Sequence, residues 1–103
     1  MAESGFVAVL VIDLHFPEAE SLKGKRKELS SIKAQLRTRL GLSVAEVDHH
    51  DLWQRARLTA AMTSGSLATL AAAADNVERW LLARCPEGVS VQRTLASVED
   101  LQQ

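Results

Sequence analysis

A two-layer α+β domain, with helices on one face of a four-stranded antiparallel sheet, is the fold class this sequence predicts. Three observations carry that expectation. Phe6 to Phe16, FVAVLVIDLHF, is apolar on both alternating faces, as a strand in mid-sheet must be. Two later segments repeat apolar residues at helical spacing, each opened by a serine that can cap it. Two shorter alternating runs lie between those segments and one follows them, which gives the order β-α-β-β-α-β.

Each element has its own justification. In the first strand Phe6, Ala8, Leu10, Ile12, Leu14 and Phe16 share one face, and Val7, Val9 and Val11 share the other, followed by Asp13 and His15. Pro17 to Glu20 forms a connection and Ser21 caps a helix whose stripe is Leu22, Leu29, Ile32, Leu36 and Leu40, ended by Gly41. Leu42 to Val47 is a short strand, and Asp48-His49-His50-Asp51 a polar turn. Arg55 to Thr63 alternates, with Ala56, Leu58, Ala60 and Met62 inward. Thr63-Ser64-Gly65-Ser66 breaks this strand and caps a second helix with the stripe Leu67, Leu70, Ala74, Val77 and Leu81; Cys85-Pro86-Glu87-Gly88 stops it. Val89 to about Val98 is the last strand. Two interleaved right-handed split β-α-β units close as a ferredoxin-like sandwich of strand order 4-1-3-2, with Phe6–Phe16 central.

The 103 residues make a single domain, 1–103, with 1–5 and 100–103 expected to fray. A 47% apolar content excludes a disordered chain, and the single cysteine, Cys85, excludes an internal disulfide and suits a reducing cytoplasm. MAESG lacks the positive flank of a signal peptide, and the first strand is too short to cross a bilayer. A net charge of −1 predicts no steering of the whole molecule toward nucleic acid, yet the charge is unevenly placed. Ser21 to Gly41 carries Lys23, Lys25, Arg26, Lys27, Lys33, Arg37 and Arg39 against Glu28, a local +6 against −7 elsewhere.

Lys23, Arg26, Lys27, Lys33 and Arg37 fall on one flank of the first helix's apolar stripe; Lys25 and Arg39 are assigned to the other. A one-sided row of cations suits a phosphate backbone, and the helix N-terminus beside Lys23 and Lys25 adds unpaired N–H groups. The alternative is a solvated face whose basic stems cover the core edge. His15, Asp48, His49, His50 and Asp51 are expected near Lys23 and Lys25 at one end of the sheet, but adjacent histidines in a turn point apart and give no metal-ligand spacing. Asp51, Trp53, Gln54 and Arg55 form a possible partner edge, where Trp53 either packs over the sheet's end or offers a contact platform. Asp13 and Glu46 are expected to meet Arg55 and Arg57 on the open face as a cross-strand ion-pair network. That face holds no ring, so base stacking on the sheet is not expected; Val7, Val9 and Val11 suggest homodimerisation instead. Trp80 and Arg84 are assigned to edge packing, and Cys85 has no expected histidine partner.

Ser21-Leu22-Lys23 followed by Lys25-Arg26, and Ser43-Val44-Ala45-Glu46-Val47 continuing to Asp51-Leu52-Trp53-Gln54-Arg55-Ala56, resemble the YlxP-like family of small bacterial proteins, a domain of unknown function. The resemblance runs through nearly the whole chain and implies a ferredoxin-like sandwich. By the company its genes keep, beside those for translation initiation and ribosome maturation factors, it also implies a ribosome or RNA connection. No catalytic residues come with it. The chain departs from the family at Gly24, where an acidic residue is usual, which removes the carboxylate of a capping box.

The expected function is therefore a non-catalytic protein bound to ribosomal RNA or a ribosome-associated partner, without cofactor or metal. Lys23, Lys25, Arg26, Lys27, Lys33 and Arg37 would contact phosphates. The alternative is a homo-oligomeric interaction or regulatory domain using the valine face. A third reading, weaker than both, is a small enzyme or metal-binding protein centred on His15, His49 and His50.

Overall fold

The computed structural model describes residues 3–86 and 88–103. The elements are β1 (Phe6–His15), α1 (Leu22–Thr38), β2 (Ser43–Asp48), β3 (Arg55–Ser64), α2 (Leu67–Arg84), β4 (Val89–Ser97) and α3 (Val98–Leu101). The sheet runs β2-β3-β1-β4, every neighbour antiparallel, which is the ferredoxin-like order read from the sequence. Among the described residues no helix is long and apolar enough to cross a membrane.

The alternation in β1 decides the layering. Ala8, Leu10, Ile12, Leu14 and Phe16 are at most 5% exposed and meet Ala56, Leu58 and Ala60 of β3 beneath the helices. From above, α1 contributes Leu29, Ile32 and Leu36; α2 contributes Ala74, Val77 and Leu81. Val7, Val9 and Val11 lie on the opposite face with Thr59 and Ala61, half-buried by their neighbours alone. Both long helices start as the serines dictate: Ser21 Oγ accepts from Gly24 N at 3.1 Å, and Ser66 Oγ from Thr69 N at 3.3 Å. The first turn of α1 has no acidic residue, so its positive end stays uncompensated.

Three details differ from the sequence reading. Leu67, counted in the stripe of α2, is the first residue of that helix and is 46% exposed. The end of the chain forms a helical turn, α3, where fraying is expected. Ser97 Oγ caps it, and Val98 N donates to Gly5 O at 3.0 Å while Ser4 N donates to Glu99 Oε1 at 3.3 Å, so it is tied to the start of β1. Glu46 belongs to the helix-facing side of β2 rather than the open face. It is two residues from buried Val44, opposite buried Leu58, and the strand bulges only after it. The turn Cys85-Pro86-Glu87-Gly88 includes Glu87, which lies outside the described residues. Its Gly88 sits so close to β1 that an added Cβ would lie 2.5 Å from His15 Cβ.

Candidate nucleic-acid interface

The cations of α1 sort into two groups. Lys23, Arg26 and Lys27 stand exposed on the first turns of the helix. Lys33 and Arg37, further along the helix, turn to the neighbouring strand β2, whereas Lys27 lies on the side toward Glu28 and Arg84. Lys33 Nζ lies 3.9 Å from Glu46 Oε1, and an Arg37 guanidinium nitrogen donates to Val44 O at 2.7 Å. Their stems cover the edge of the sheet, and their charges are partly spent there.

Lys25 corrects the sequence reading outright. It is 1% exposed, with no surface for a phosphate to reach. The helical arithmetic explains why: Lys25, Leu29, Ile32 and Leu36 follow i, i+4, i+7, i+11, so Lys25 occupies the first position of the buried stripe and not its flank. A lysine there must satisfy its ammonium inside the protein. Its Nζ donates to His49 O and to Leu52 O, both at 2.6 Å, and lies 4.0 Å from Glu46 Oε2. Burial pushes the ammonium pKa below its ordinary value, against the attraction of Glu46.

Those two bonds fold the β2–β3 loop, residues 49–54, onto the N-terminal turns of α1. Leu52 N closes a turn on His49 O at 3.2 Å, with His49 at φ 64°, and Phe16 N fixes the far end by donating to Gln54 O at 2.7 Å. The loop's outer surface carries Leu52 and Trp53, each about half exposed, and Val47 near the end of β2 is similarly exposed. Trp53 is half exposed and half buried, so part of it is open to solvent at the surface. Asp51, Gln54 and Arg55 are exposed beside it. Lys25 thus joins the exposed cations, of which Arg26 is its chain neighbour, to the half-exposed Trp53, one residue beyond the Leu52 carbonyl it holds. The buried lysine and the clamp it makes are the elements sequence reasoning missed.

On the open face Arg57 Nε donates to Asp13 Oδ1 at 2.7 Å, the expected cross-strand pair; the bond raises the guanidinium pKa above its ordinary value. Asp48 Oδ1 accepts from His49 N at 2.7 Å, which, with the nearby His49 and Arg57, holds that carboxyl below the usual range. The histidines do not converge on one site. His15 ends β1 against Gly88, whereas His49 is in the loop with its Nε2 buried and unpartnered. Among the described residues no three His, Cys, Asp or Glu side chains are grouped to hold a metal. A recess of about 160 Å³ lies beside His15, Phe16, Glu28, Arg84 and Cys85. Arg84 is tied to Glu28 at 3.1 Å there, and burial pushes the Cys85 thiol up, away from the thiolate a nucleophile needs. Trp80 packs against the core, as expected.

Residues 7–100 match the model of a family described as "Protein of unknown function (DUF503)". The chain belongs to this family. DUF503 is here a four-stranded ferredoxin-like domain that the family match spans almost completely. No curated protein matches the chain. Among solved structures it is similar to the de novo designed protein Foldit4, with TM-score 0.55 and 12% identity over 86% of this chain and 94% of that one. It also matches the designed protein Ferredog-Diesel, with TM-score 0.45 and 16% identity over 84% of this chain and 83% of that one. A third match is the designed ferredoxin-fold protein LFR1 1, with TM-score 0.40 and 12% identity over 87% and 83%. The likeness to Foldit4 concerns the fold alone.

Proposed function

We propose that this DUF503 protein is a non-catalytic RNA-binding protein of the ribosome or its assembly, and that YlxP-like is the right name for its branch of the family. Lys23, Arg26 and Lys27 contact phosphates, and Trp53 with Arg55 supplies stacking and shape contacts beside them. The observation that carries this reading is the double hydrogen bond of Lys25, which ties the loop bearing the half-exposed Trp53 to the helix turns bearing the exposed cations. Cations along a backbone plus an aromatic face are what single-stranded RNA loops require. The free positive end of α1 adds to the local potential. The +6 segment and the family resemblance point the same way, and the single cysteine suits a reducing cytoplasm.

Co-sedimentation with bacterial ribosomal subunits, at low and at high salt, tests this reading. Association with one subunit that is lost at high salt, and lost in the triple variant Lys23→Glu/Arg26→Glu/Lys27→Glu, is the expected result. A triple variant that folds and still sediments with the subunit would overturn it.

A further inference from the structure

We propose that the outer edge of β4 is a self-association surface, on which a second copy of this chain lays its own β4 antiparallel and continues the sheet. Antiparallel ladders alternate, so each strand residue bonds wholly to one neighbour or to the other. His15 N donates to Gly88 O, and Val98 N donates to Gly5 O. In the register of β1 with β4 these two bonds assign the even-numbered residues of β4 to β1. The N–H and C=O groups of Val89, Val91, Arg93, Leu95 and Ser97 therefore point off the edge. Among the described residues no side chain or loop caps them.

The other edge is treated differently. Phe16 N donating to Gln54 O assigns the even residues of β3 to β1, so Val44 in β2 points outward. Arg37 occupies the Val44 carbonyl at 2.7 Å, and the six-residue strand bulges after Glu46. Capping, bulging and shortness are how proteins close an edge. β4 has none of these: it runs nine residues in unbroken register with β1, without proline or lysine.

A second copy fits this edge by its side chains. With the two-fold axis at Gln92, Val89 of each copy faces Leu95 of the other, Val91 faces Arg93, and Ser90 faces Thr94. No like charges stand directly opposite; the two Arg93 side chains are diagonal neighbours, each already paired with Asp75 at 2.8 Å and Glu78 at 3.7 Å. Val89, Val91 and Leu95 are only partly buried in one copy. The accessible surface, 6310 Å², exceeds by roughly a tenth the ~5,700 Å² that scaling gives a compact monomer of this mass. Pairing would remove part of that excess and leave the Lys23–Trp53 surface free at each end of the assembly.

Sedimentation equilibrium over a range of concentrations, on the wild type, Val91→Pro and Val9→Lys, tests the proposal. Proline at 91 removes an outward N–H and trims a side chain packed against the core, and it takes no hydrogen bond from the ladder to β1. The expected result is a dimer in the wild type and in Val9→Lys, and a monomer in Val91→Pro. A monomeric wild type overturns the proposal, as does a dimer kept by Val91→Pro and lost by Val9→Lys, which would place the contact on the valine face. Should Val91→Pro not fold, hydrogen exchange on the wild type decides. The amides of Val91, Arg93 and Leu95 slow at least tenfold with rising protein concentration if the edge pairs, and concentration-independent exchange overturns it.

Discussion

Lys25 shows how much one side chain can organise when its charge is forced inside. Its position among Leu29, Ile32 and Leu36 follows from helical periodicity, so its burial was legible in principle. An apolar stripe is sought among apolar residues, however, and a lysine is discounted. Which carbonyls it would find was not legible, because they belong to a loop brought near only by the closed sheet. Lys25→Met keeps the stem and deletes the ammonium, leaving the Leu52 carbonyl without its donor and the His49 carbonyl with Leu52 N alone. The expected cost is about 2–3 kcal/mol in urea unfolding. The pH dependence has a definite sign. Because folding lowers the Lys25 pKa, the unfolded chain holds more protons between the folded value and 10.5, so this group makes stability rise with pH across that interval. Lys25→Met should show a flatter stability profile there than the wild type; equal slopes would contradict the burial argument.

At the scale of elements, the two helices and four strands were readable from serine caps, apolar spacing and the two-sided β1. Strand parity with buried Val44 fixes Glu46 on the helix-facing side of β2, although its charge complements the arginines of β3. The α3 turn had no apolar signal strong enough to announce it, since its anchors are a cap and contacts with residues at the other end of the chain. The β4 connection is the tightest joint. Gly88→Ala should lower stability by about 1–3 kcal/mol in thermal unfolding, because the new Cβ meets β1 backbone and the His15 Cβ. Gly65→Ala, where an added Cβ meets nothing within 4 Å, should stay within about 0.5 kcal/mol of the wild type. Equal effects at the two positions would deny the close approach.

The whole molecule is an elongated slab, 50 × 26 × 20 Å, with the loop held by Lys25 at one end of the sheet and the outward backbone groups of β4 along one side. Net charge concealed this arrangement, since −1 averages a basic helix against an acidic remainder. The six cations assigned to phosphate from the sequence reduce to Lys23, Arg26 and Lys27, which are exposed and show no ion pair among the described residues, because Lys25, Lys33 and Arg37 bind the protein itself. That reduction makes the central claim quantitative. The most direct measurement is the salt dependence of binding to a single-stranded ribosomal RNA loop, for the wild type and for Lys23→Gln/Arg26→Gln/Lys27→Gln. Three neutralised phosphates predict a slope of log K against log salt of about −2 in the wild type and near zero in the variant. A wild type insensitive to salt, or a variant with the same slope as the wild type, would contradict the account.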